Sequence, residues 1–418
     1  MSAVGISTPA LPALRTLVRR RVKAHKFKFE ALPTPSRRQL LVDVSVIVTG
    51  DAKTGIQRVV RALLGQLMAL AGPDLDVQPV FASRDHGYCR GKLNPDGSVT
   101  SEAEKKGVLH PADIRSGDVF LGLDLAAHLI PDMERDLQSW RRQGVGINFL
   151  VYDLLPVMRP EWFPPATSPK FDRWLKVLGR QADQCICISG IVASDLAKAL
   201  EERGFSTCPK ISTIPLGSDL ASSYPSPGLP PDVGLLRDWL QRYEVILTVG
   251  TLEPRKGHHQ LLDAMDHIWN QTPVSNTALL VVGKPGWKTE DLQTRLRDHP
   301  ENGKRLLWLC DASDELLSEV YRHVAGLVAP SHAEGFGLPL LEALGHGVPV
   351  LARKIPIFEE IGGHLFDYFE DDTAARLAES VRTWLRHRRA PGAEAIATLP
   401  RWADSAIALL QSLRMVRA

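Results

Sequence analysis

Two glutamates on either side of a glycine-rich turn are well suited to bind a phosphorylated, hydroxyl-rich ligand. They are Glu334 and Glu342, in a segment that reads SHAEGFGLPLLE. Gly335 and Gly337 let the backbone approach a ligand closely, and Pro339 suits the first position of a helix. Free N–H groups at a helix start attract phosphate, and a carboxylate on the first turn, as we expect for Glu342, can accept hydrogen bonds from sugar hydroxyls. The segment therefore indicates a site for a compound such as a nucleotide-sugar.

A second interpretation of this segment needs no ligand. Glycine-rich turns between a strand and a helix are common in α/β folds, and a glutamate near a helix start is favoured by the helix dipole. A motif gains weight only from its surroundings, so the other polar loops decide between the two interpretations.

A basic loop follows the first strand that we expect in the second half of the chain. Arg255 and Lys256 lie in the segment GTLEPRKG, directly after a short apolar run. Ligands of doubly wound sheets bind at the carboxyl ends of strands. Arg can clamp phosphate oxygens with two hydrogen bonds, while Lys acts as a compact point charge. A solvated basic turn is the alternative, and the glutamate segment argues against it.

The order of apolar and helical runs predicts an α/β fold with parallel sheets. We expect strands at Leu40–Val48, Val77–Ala82, Asp118–Gly122, Gly146–Tyr152, Gln184–Ser189, Ile211–Pro215, Val245–Gly250, Ala278–Gly283, Leu306–Cys310, Ala325–Ala329 and Val348–Ala352. Helices are expected at Gly55–Leu70, Ser189–Arg203, His258–Asn270 and from Trp402 to about Leu413, with one more capped by Ser313.

This pattern divides the chain into two domains with a linker between them. We expect a basic extension at 1–36, an N-terminal domain at 37–220, a linker rich in Ser, Pro and Gly at 221–240, a C-terminal domain at 241–400 and a final helix at 401–418 that returns to the N-terminal domain.

Composition is that of an ordinary soluble protein. Of its residues, 44% are hydrophobic and 23% are charged. A chain of 418 residues is long enough to form two domains with separate cores. The formal net charge of +2 gives no reason to expect a nucleic-acid partner. Five scattered cysteines argue against a disulfide framework or a metal site, and no apolar run reaches membrane-spanning length. We therefore expect a cytoplasmic protein.

The N-terminal extension departs from this average. Basic and apolar residues alternate from Leu14 to Phe29, without the apolar core or cleavage site of a secretory signal. One interpretation is a helix that lies on an anionic membrane surface; the other is a solvated basic extension. The first would place the protein peripherally on the inner face of the plasma membrane.

Taken together, the motifs resemble the nucleotide-sugar site of the large retaining glycosyltransferase family 4. The resemblance rests on the two glutamates separated by seven residues around GFGLP, on the EALGHGVPV stretch and on GTLEPRKG, a form common in bacterial polysaccharide members. It extends from about Asp43 to Trp402 and is strongest in the second half. It implies the GT-B architecture, in which two Rossmann-like domains face each other across a cleft.

The resemblance also implies a role for each candidate residue. Glu342 would bind the ribose hydroxyls of the donor. Arg255 and Lys256 would hold the diphosphate and stabilise the charge on the leaving group. Glu334 would face the transferred sugar together with the backbone at Gly335, Phe336, Gly337 and Leu338. Thr54 and Gly55 resemble the family's loop that approaches the donor phosphates.

One element departs from the family pattern. Segment VYDLLP resembles the family's His-Asp-Leu-x-Pro element, but Tyr152 replaces its histidine. Any role of that histidine therefore cannot be transferred to this chain. Asp153 remains a candidate for acceptor binding or proton handling, although a loop cap explains it equally well. Asp124 is a further candidate of lower weight.

By this resemblance the chain would be a hexosyltransferase of O-antigen or capsule synthesis, acting on a glycan or lipid-linked glycan. GDP-mannose is the first choice of donor, with dTDP-rhamnose or a UDP-hexose as alternatives. The family implies no cofactor and no catalytic metal, and we name no protein nucleophile. A nonenzymatic scaffold and a sugar-nucleotide epimerase of the same fold are the rival functions.

Overall fold

The computed structural model describes residues 38–102, 109–205, 208–271, 275–370 and 373–416. The chain divides into two compact units. Unit 1 consists of the described residues within Met1–Val157, Ala166–Tyr224 and Pro400–Ala418, and unit 2 of those within Met158–Pro165 and Pro225–Leu399. The expected basic extension at 1–36 lies outside the described residues.

Strands and helices alternate along most of the described chain. The strands are β1 (Arg38–Asp43), β2 (Leu75–Ser83), β3 (Gly87–Leu93), β4 (Val99–Ser101), β5 (Val119–Gly122), β6 (Gly146–Val151), β7 (Gln184–Cys187), β8 (Lys210–Thr213), β9 (Glu244–Val249), β10 (Thr277–Val282), β11 (Leu306–Leu309), β12 (Gly326–Ala329), β13 (Val350–Arg353) and β14 (Asp367–Phe369). The helices are α1 (Ser45–Thr49), α2 (Gly55–Leu70), α3 (Glu134–Arg142), α4 (Leu155–Met158), α5 (Thr167–Gln181), α6 (Gly190–Glu202), α7 (Val233–Arg242), α8 (His258–Gln271), α9 (Glu290–Asp298), α10 (Asp314–Tyr321), α11 (Leu338–Gly345), α12 (Pro356–Gly362), α13 (Ala374–His387), α14 (Ala393–Ala397) and α15 (Trp402–Ser412).

Each unit is built on one sheet. Within the described residues, unit 1 has the strand order β4-β3-β2-β1-β5-β6-β7-β8, parallel except where β3 pairs antiparallel with β2 and β4. The sheet of unit 2 has the order β11-β10-β9-β12-β13-β14 and is parallel throughout. Strand order reverses between β1 and β5 in unit 1 and between β9 and β12 in unit 2. Such reversal points are where doubly wound sheets bind ligands.

Local sequence explains where the main helices begin. At the start of α2, the Thr54 hydroxyl accepts the N–H of Gln57 at 3.3 Å, and the Gln57 side chain accepts the N–H of Thr54 at 3.2 Å. This reciprocal pair satisfies two N–H groups that a helix start leaves without partners. Ser313 caps α10 in the expected way, accepting the N–H of Leu316 at 3.0 Å.

Most expected strands are confirmed within two or three residues, but the interpretation of Leu40–Val48 as one strand is wrong. The strand ends at Asp43, and a short helix, α1, follows. Asp43 accepts the N–H of Ser45 at 2.9 Å, and the Asp124 carboxylate accepts the N–H groups of Val46 and Ile47 at 2.9 and 2.8 Å. These carboxylates stabilise a helix start in a segment whose β-branched residues favour a strand.

The expected linker contains regular structure. Helix α7 occupies residues 233–242 and buries Trp239 and Leu240. The Trp239 indole N–H donates to the carbonyl of Lys304 at 2.5 Å, so the helix is attached to unit 2. The final helix, α15, packs against α2 in unit 1. Among the helices of the described chain, none is both long and apolar enough to cross a membrane.

Candidate functional site

The basic loop and the glutamate loop lie side by side at the reversal point of the unit 2 sheet. Arg255 and Lys256 form a short turn after β9, and Glu334 lies in the loop after β12. Because β9 and β12 are parallel neighbours, both loops leave the same edge of the sheet. Two segments about eighty residues apart in the sequence are thus brought together at the carboxyl ends of neighbouring strands.

Glu334 binds both cations of the basic loop. Its Oε1 atom lies 2.6 Å from the Lys256 ammonium and accepts the Ser331 hydroxyl at 2.8 Å. Its Oε2 atom is paired with the Arg255 guanidinium. The three charged side chains are largely buried, with 9% of Glu334, 14% of Lys256 and 15% of Arg255 exposed. Such charge-assisted contacts are among the strongest polar interactions in proteins.

The pKa of Glu334 follows from this environment. Burial alone would raise the pKa, but the nearby charges of Arg255 and Lys256 outweigh it and lower the pKa to about 2. Glu334 is therefore a carboxylate throughout the physiological pH range. A carboxylate of so low a pKa is a poor general acid or base near pH 7, so its contribution is charge and hydrogen-bond acceptance.

A second carboxylate completes the cluster. Glu253 Oε2 accepts the Nε–H of Arg255 at 2.8 Å, and burial raises the pKa of Glu253. The two cations of the loop therefore face two carboxylates, and the four charges sum to zero.

Backbone contacts hold the two loops together. The N–H of His332 donates to the Arg255 carbonyl at 2.7 Å, and Arg255 Nη1 donates to the Ala333 carbonyl at 3.1 Å. Gly257 adopts a left-handed φ of 70°. A Cβ atom at this position would lie 2.3 Å from the carbonyl oxygen of Pro330. The absence of a side chain at Gly257 is what permits this approach.

Helix α11 places the second glutamate of the motif. Gly337 is its N-cap with a φ of 128°, Leu338 is the first helical residue and Pro339 the second. Glu342 is the fifth residue of the helix, so its expected place on the first turn is wrong. Its side chain is buried, and Oε2 accepts the Tyr321 hydroxyl at 3.4 Å.

The backbone expected to face the sugar connects the two glutamates. Gly335, Phe336 and Leu338 are buried, and Gly337 is half-buried. A Cβ atom on Gly337 would lie 3.0 Å from both Ile361 and Phe358, which is tighter than ordinary van der Waals contact. The turn is therefore packed against α12, and this packing fixes the start of α11.

Three residues of the cluster have no role in the sequence-based prediction: Ser331, Glu253 and His258. All three lie inside or directly beside the two motifs, so their polarity was the available signal. His258 begins α8, is buried, and lines a small cavity together with Lys256, Ser331 and Glu334. Burial first, and then the charge of Lys256, lower the pKa of His258 to about 4. His258 is therefore neutral at pH 7.

The remaining candidates belong to unit 1. Thr54 and Gly55 are exposed at the start of α2, and the Thr54 hydroxyl is engaged in the cap. A Cβ atom on Gly55 would meet nothing within 4 Å, so sterics in this structure do not require glycine there. Asp153 is half-buried, and its Oδ1 accepts the N–H of Leu155 at 3.0 Å, the contact of a loop cap.

Two buried polar residues lie at the carboxyl ends of β5 and β6. Tyr152, at the position where the family has histidine, donates its hydroxyl to the Leu123 carbonyl at 2.7 Å. Asp124 holds the start of α1, and burial raises its pKa to about 6. Among the residues that the structure describes, no group of three or more His, Cys, Asp or Glu side chains could hold a metal ion.

Comparison with known proteins finds a family match within unit 2. Residues 238–396 match the family described as glycosyl transferases group 1. The Escherichia coli serotype-specific mannosyltransferase WbdA is 37% identical over 386 residues, which cover 91% of this chain and 47% of that protein. The chain thus spans about half the length of these curated relatives.

Solved structures show the same fold over nearly the whole chain. Anabaena HepE in complex with UDP and glucose aligns with a TM-score of 0.55 at 16% identity, covering 91% of this chain and 96% of HepE. Sucrose-phosphate synthase from Thermosynechococcus elongatus aligns with a TM-score of 0.57 at 18% identity, covering 90% and 96%. The expected α/β fold, with two Rossmann-like domains of the GT-B type, is confirmed.

Proposed function

We propose that this chain, whose residues 238–396 are a group 1 glycosyl transferase domain, transfers a hexose from a nucleoside-diphosphate sugar to a hydroxyl of a glycan or lipid-linked glycan. The observation that carries the proposal is the buried cluster of Arg255, Lys256 and Glu334 at the reversal point of the unit 2 sheet. It combines two cations suited to a diphosphate with a carboxylate suited to sugar hydroxyls.

The donor we favour is GDP-mannose. WbdA, which is 37% identical to this chain over the aligned residues, is by name a serotype-specific mannosyltransferase. UDP and glucose are bound in HepE, but that protein shares the fold at only 16% identity. A UDP-hexose or dTDP-rhamnose is therefore the second choice. The product would be a bacterial surface polysaccharide.

The cluster suggests how the reaction is supported. Arg255 and Lys256 would hold the diphosphate and stabilise the negative charge that develops as the sugar leaves. Glu342 would bind the ribose hydroxyls, and Glu334 with the backbone of residues 335–338 would face the transferred sugar. Cationic side chains would then take the part that a metal ion plays in other transferases, so we propose a reaction without metal or cofactor.

We propose retention of configuration by attack of the acceptor on the face that the diphosphate leaves. The leaving phosphate would accept the proton of the acceptor hydroxyl, so no protein nucleophile is needed. Before the donor binds, Glu334 is held as a carboxylate by Arg255, Lys256 and Ser331, so it is not poised as a nucleophile or general base in this structure.

The acceptor side of the reaction belongs to unit 1 in this proposal. Thr54 and Gly55 would approach the donor phosphates, and Asp153 would bind the acceptor or handle its proton. The basic extension at 1–36, which lies outside the described residues, would contact the inner face of the plasma membrane. A lipid-linked acceptor would be available at that surface.

A thermal-shift screen with GDP, UDP, dTDP and ADP and their common sugars tests the donor site. Binding to the native state raises the melting temperature, so we expect a shift of several degrees with one nucleotide, GDP by preference. The Lys256→Ala variant should lose the shift, because the diphosphate loses a charge partner. No shift with any nucleotide would overturn the proposed donor site.

A product assay separates the rival functions. With GDP-mannose and a mannan acceptor, a transferase gives an extended glycan, an epimerase gives a different free nucleotide-sugar without acceptor, and a scaffold gives neither. Glu334→Ala should abolish transfer. If Glu334→Ala forms the extended glycan as fast as the wild type does, the proposed role of the cluster is wrong.

A further inference from the structure

Glu334 and a donor diphosphate would need the same cations. In this structure both carboxylate oxygens of Glu334 are used, Oε1 by Lys256 and Ser331 and Oε2 by Arg255. We infer that Glu334 is a built-in competitor for the diphosphate position, and that the donor binds by exchanging its phosphate oxygens for the Glu334 carboxylate. This inference rests on the proposed function and adds how its site is regulated.

The burial of the cluster makes exchange more consistent with the geometry than simple addition. The side chains of Arg255 and Lys256 are 15% and 14% exposed, and Glu334 is only 9% exposed. Arg255 also donates to Glu253 and to the Ala333 carbonyl. A diphosphate added to this balanced cluster would bring two or more negative charges against two carboxylates, which costs more in a buried site than in water.

The exchange predicts a difference in affinity between the intact donor and the product diphosphate. Once displaced, the Glu334 carboxylate is a charge in a buried loop and needs new hydrogen-bond donors. The hydroxyls of the donor sugar can supply them, whereas a free nucleoside diphosphate or pyrophosphate cannot. The chain should therefore hold the intact donor more tightly than the product diphosphate, and the return of Glu334 to its cations would favour product release.

The test is a calorimetric titration of the full chain with inorganic pyrophosphate, which carries the phosphate chemistry and no sugar. Glu334→Gln removes the competing charge and keeps the size of the side chain. We expect it to bind pyrophosphate at least about tenfold more tightly than the wild type, the scale of one charge-assisted hydrogen bond. Transfer to acceptor should be lost in the same variant.

Glu253→Gln is the matched control. It removes one negative charge from the same guanidinium but leaves the Glu334 contacts with Lys256 and Ser331 in place. We expect a gain in pyrophosphate affinity several times smaller than in Glu334→Gln. Equal gains would show that only net charge matters and would overturn the exchange.

The remaining outcomes separate this inference from the proposed function. If the wild type binds pyrophosphate, Lys256→Ala loses it, and Glu334→Gln binds equally or more weakly, the exchange is wrong and the donor site stands. If neither the wild type nor Glu334→Gln binds, the phosphate site and the exchange both fail. If Glu334→Gln does not fold, Ser331→Ala decides, because it removes one hydrogen bond that holds the Glu334 carboxylate in place. Pyrophosphate binding at least about twofold tighter than in the wild type supports the exchange, and unchanged or weaker binding overturns it.

Discussion

Asp43 illustrates how burial sets the charge of a single side chain in unit 1. It lies at the end of β1 with no exposed surface, and burial raises its pKa to about 7 in spite of hydrogen bonds from Ser45. An unfolded chain has a carboxyl pKa near 3.8 at this residue. Between these two values the folded state keeps a proton that the unfolded state has lost.

The contribution of Asp43 to the free energy of unfolding should therefore fall as the pH rises. Between about pH 4 and about pH 7, Asp43 lowers the free energy of unfolding by up to about 1.4 kcal/mol for each pH unit. Above that range its contribution no longer changes with pH. We expect the free energy of unfolding to drop from pH 5 to pH 7 by about 2 kcal/mol more in the wild type than in Asp43→Asn. Urea unfolding at both pH values measures the difference.

The control replaces a carboxylate that is exposed. Asp74→Asn, in the turn before β2, should leave the pH dependence as it is in the wild type. An unchanged slope in Asp43→Asn would mean that Asp43 ionises in the folded state as it does in the unfolded chain.

Single residues of the site were predictable, but their partners were not. Arg255, Lys256 and Glu334 could be named from motif spacing, because each motif is local. Their ion pairs join positions almost eighty residues apart, and no sequence window contains both loops. The motifs suggested that Arg255 and Lys256 hold phosphate while Glu334 faces the sugar. In this structure, however, Glu334 forms ion pairs with both cations.

The same distinction holds for helices and strands. Helix α2 was predicted with its residue bounds, because Thr54 and Gln57 form a local cap at its start. Helix α1 was mistaken for strand, because the carboxylate that holds its first N–H groups comes from Asp124, nearly eighty residues away. The hairpin strand β3 was not predicted, since its residues Gly87–Leu93 lack a regular apolar alternation.

Gly257 is the point at which the two site loops touch most closely. Replacement by alanine would combine an unfavourable left-handed backbone with a Cβ atom 2.3 Å from the Pro330 carbonyl. The backbone strain alone is worth about 1–2 kcal/mol, and the clash would also move the glutamate loop. We expect Gly257→Ala to lower the free energy of unfolding by more than that strain and to abolish the binding of pyrophosphate and nucleotide.

Gly303 is the matched control for this experiment. It belongs to unit 2 and has a φ of 76°, but a Cβ atom there would meet nothing within 4 Å. Gly303→Ala should show only the strain, about 1–2 kcal/mol, with ligand binding preserved. Urea unfolding and pyrophosphate titration give the two readouts. Equal stability losses with binding intact in both variants would refute the role of close approach at Gly257.

At the scale of the whole molecule, the end of the chain completes unit 1. Helix α15 begins at Trp402, whose N–H donates to Asp219 Oδ1 at 2.8 Å. A Cβ atom on Gly217 would lie 2.3 Å from that same nitrogen, so the two segments are in close backbone contact. All of residues 225–399 lie between these partners and belong to unit 2. Sequence periodicity could predict the helix, while only the family resemblance suggested where it packs.

The two units should respond separately to the loss of their own tryptophans. Trp402 is 1% exposed in unit 1, and Trp384 is 6% exposed in unit 2. Truncation of a buried tryptophan to alanine costs about 3–5 kcal/mol. We expect Trp402→Ala to lower the melting transition of unit 1 alone and Trp384→Ala that of unit 2 alone. Calorimetry can assign the transitions, since a nucleotide that binds in unit 2 raises only that unit's melting temperature. A single transition lowered equally by both variants would show that the units unfold together, because loss of one core would then remove the other.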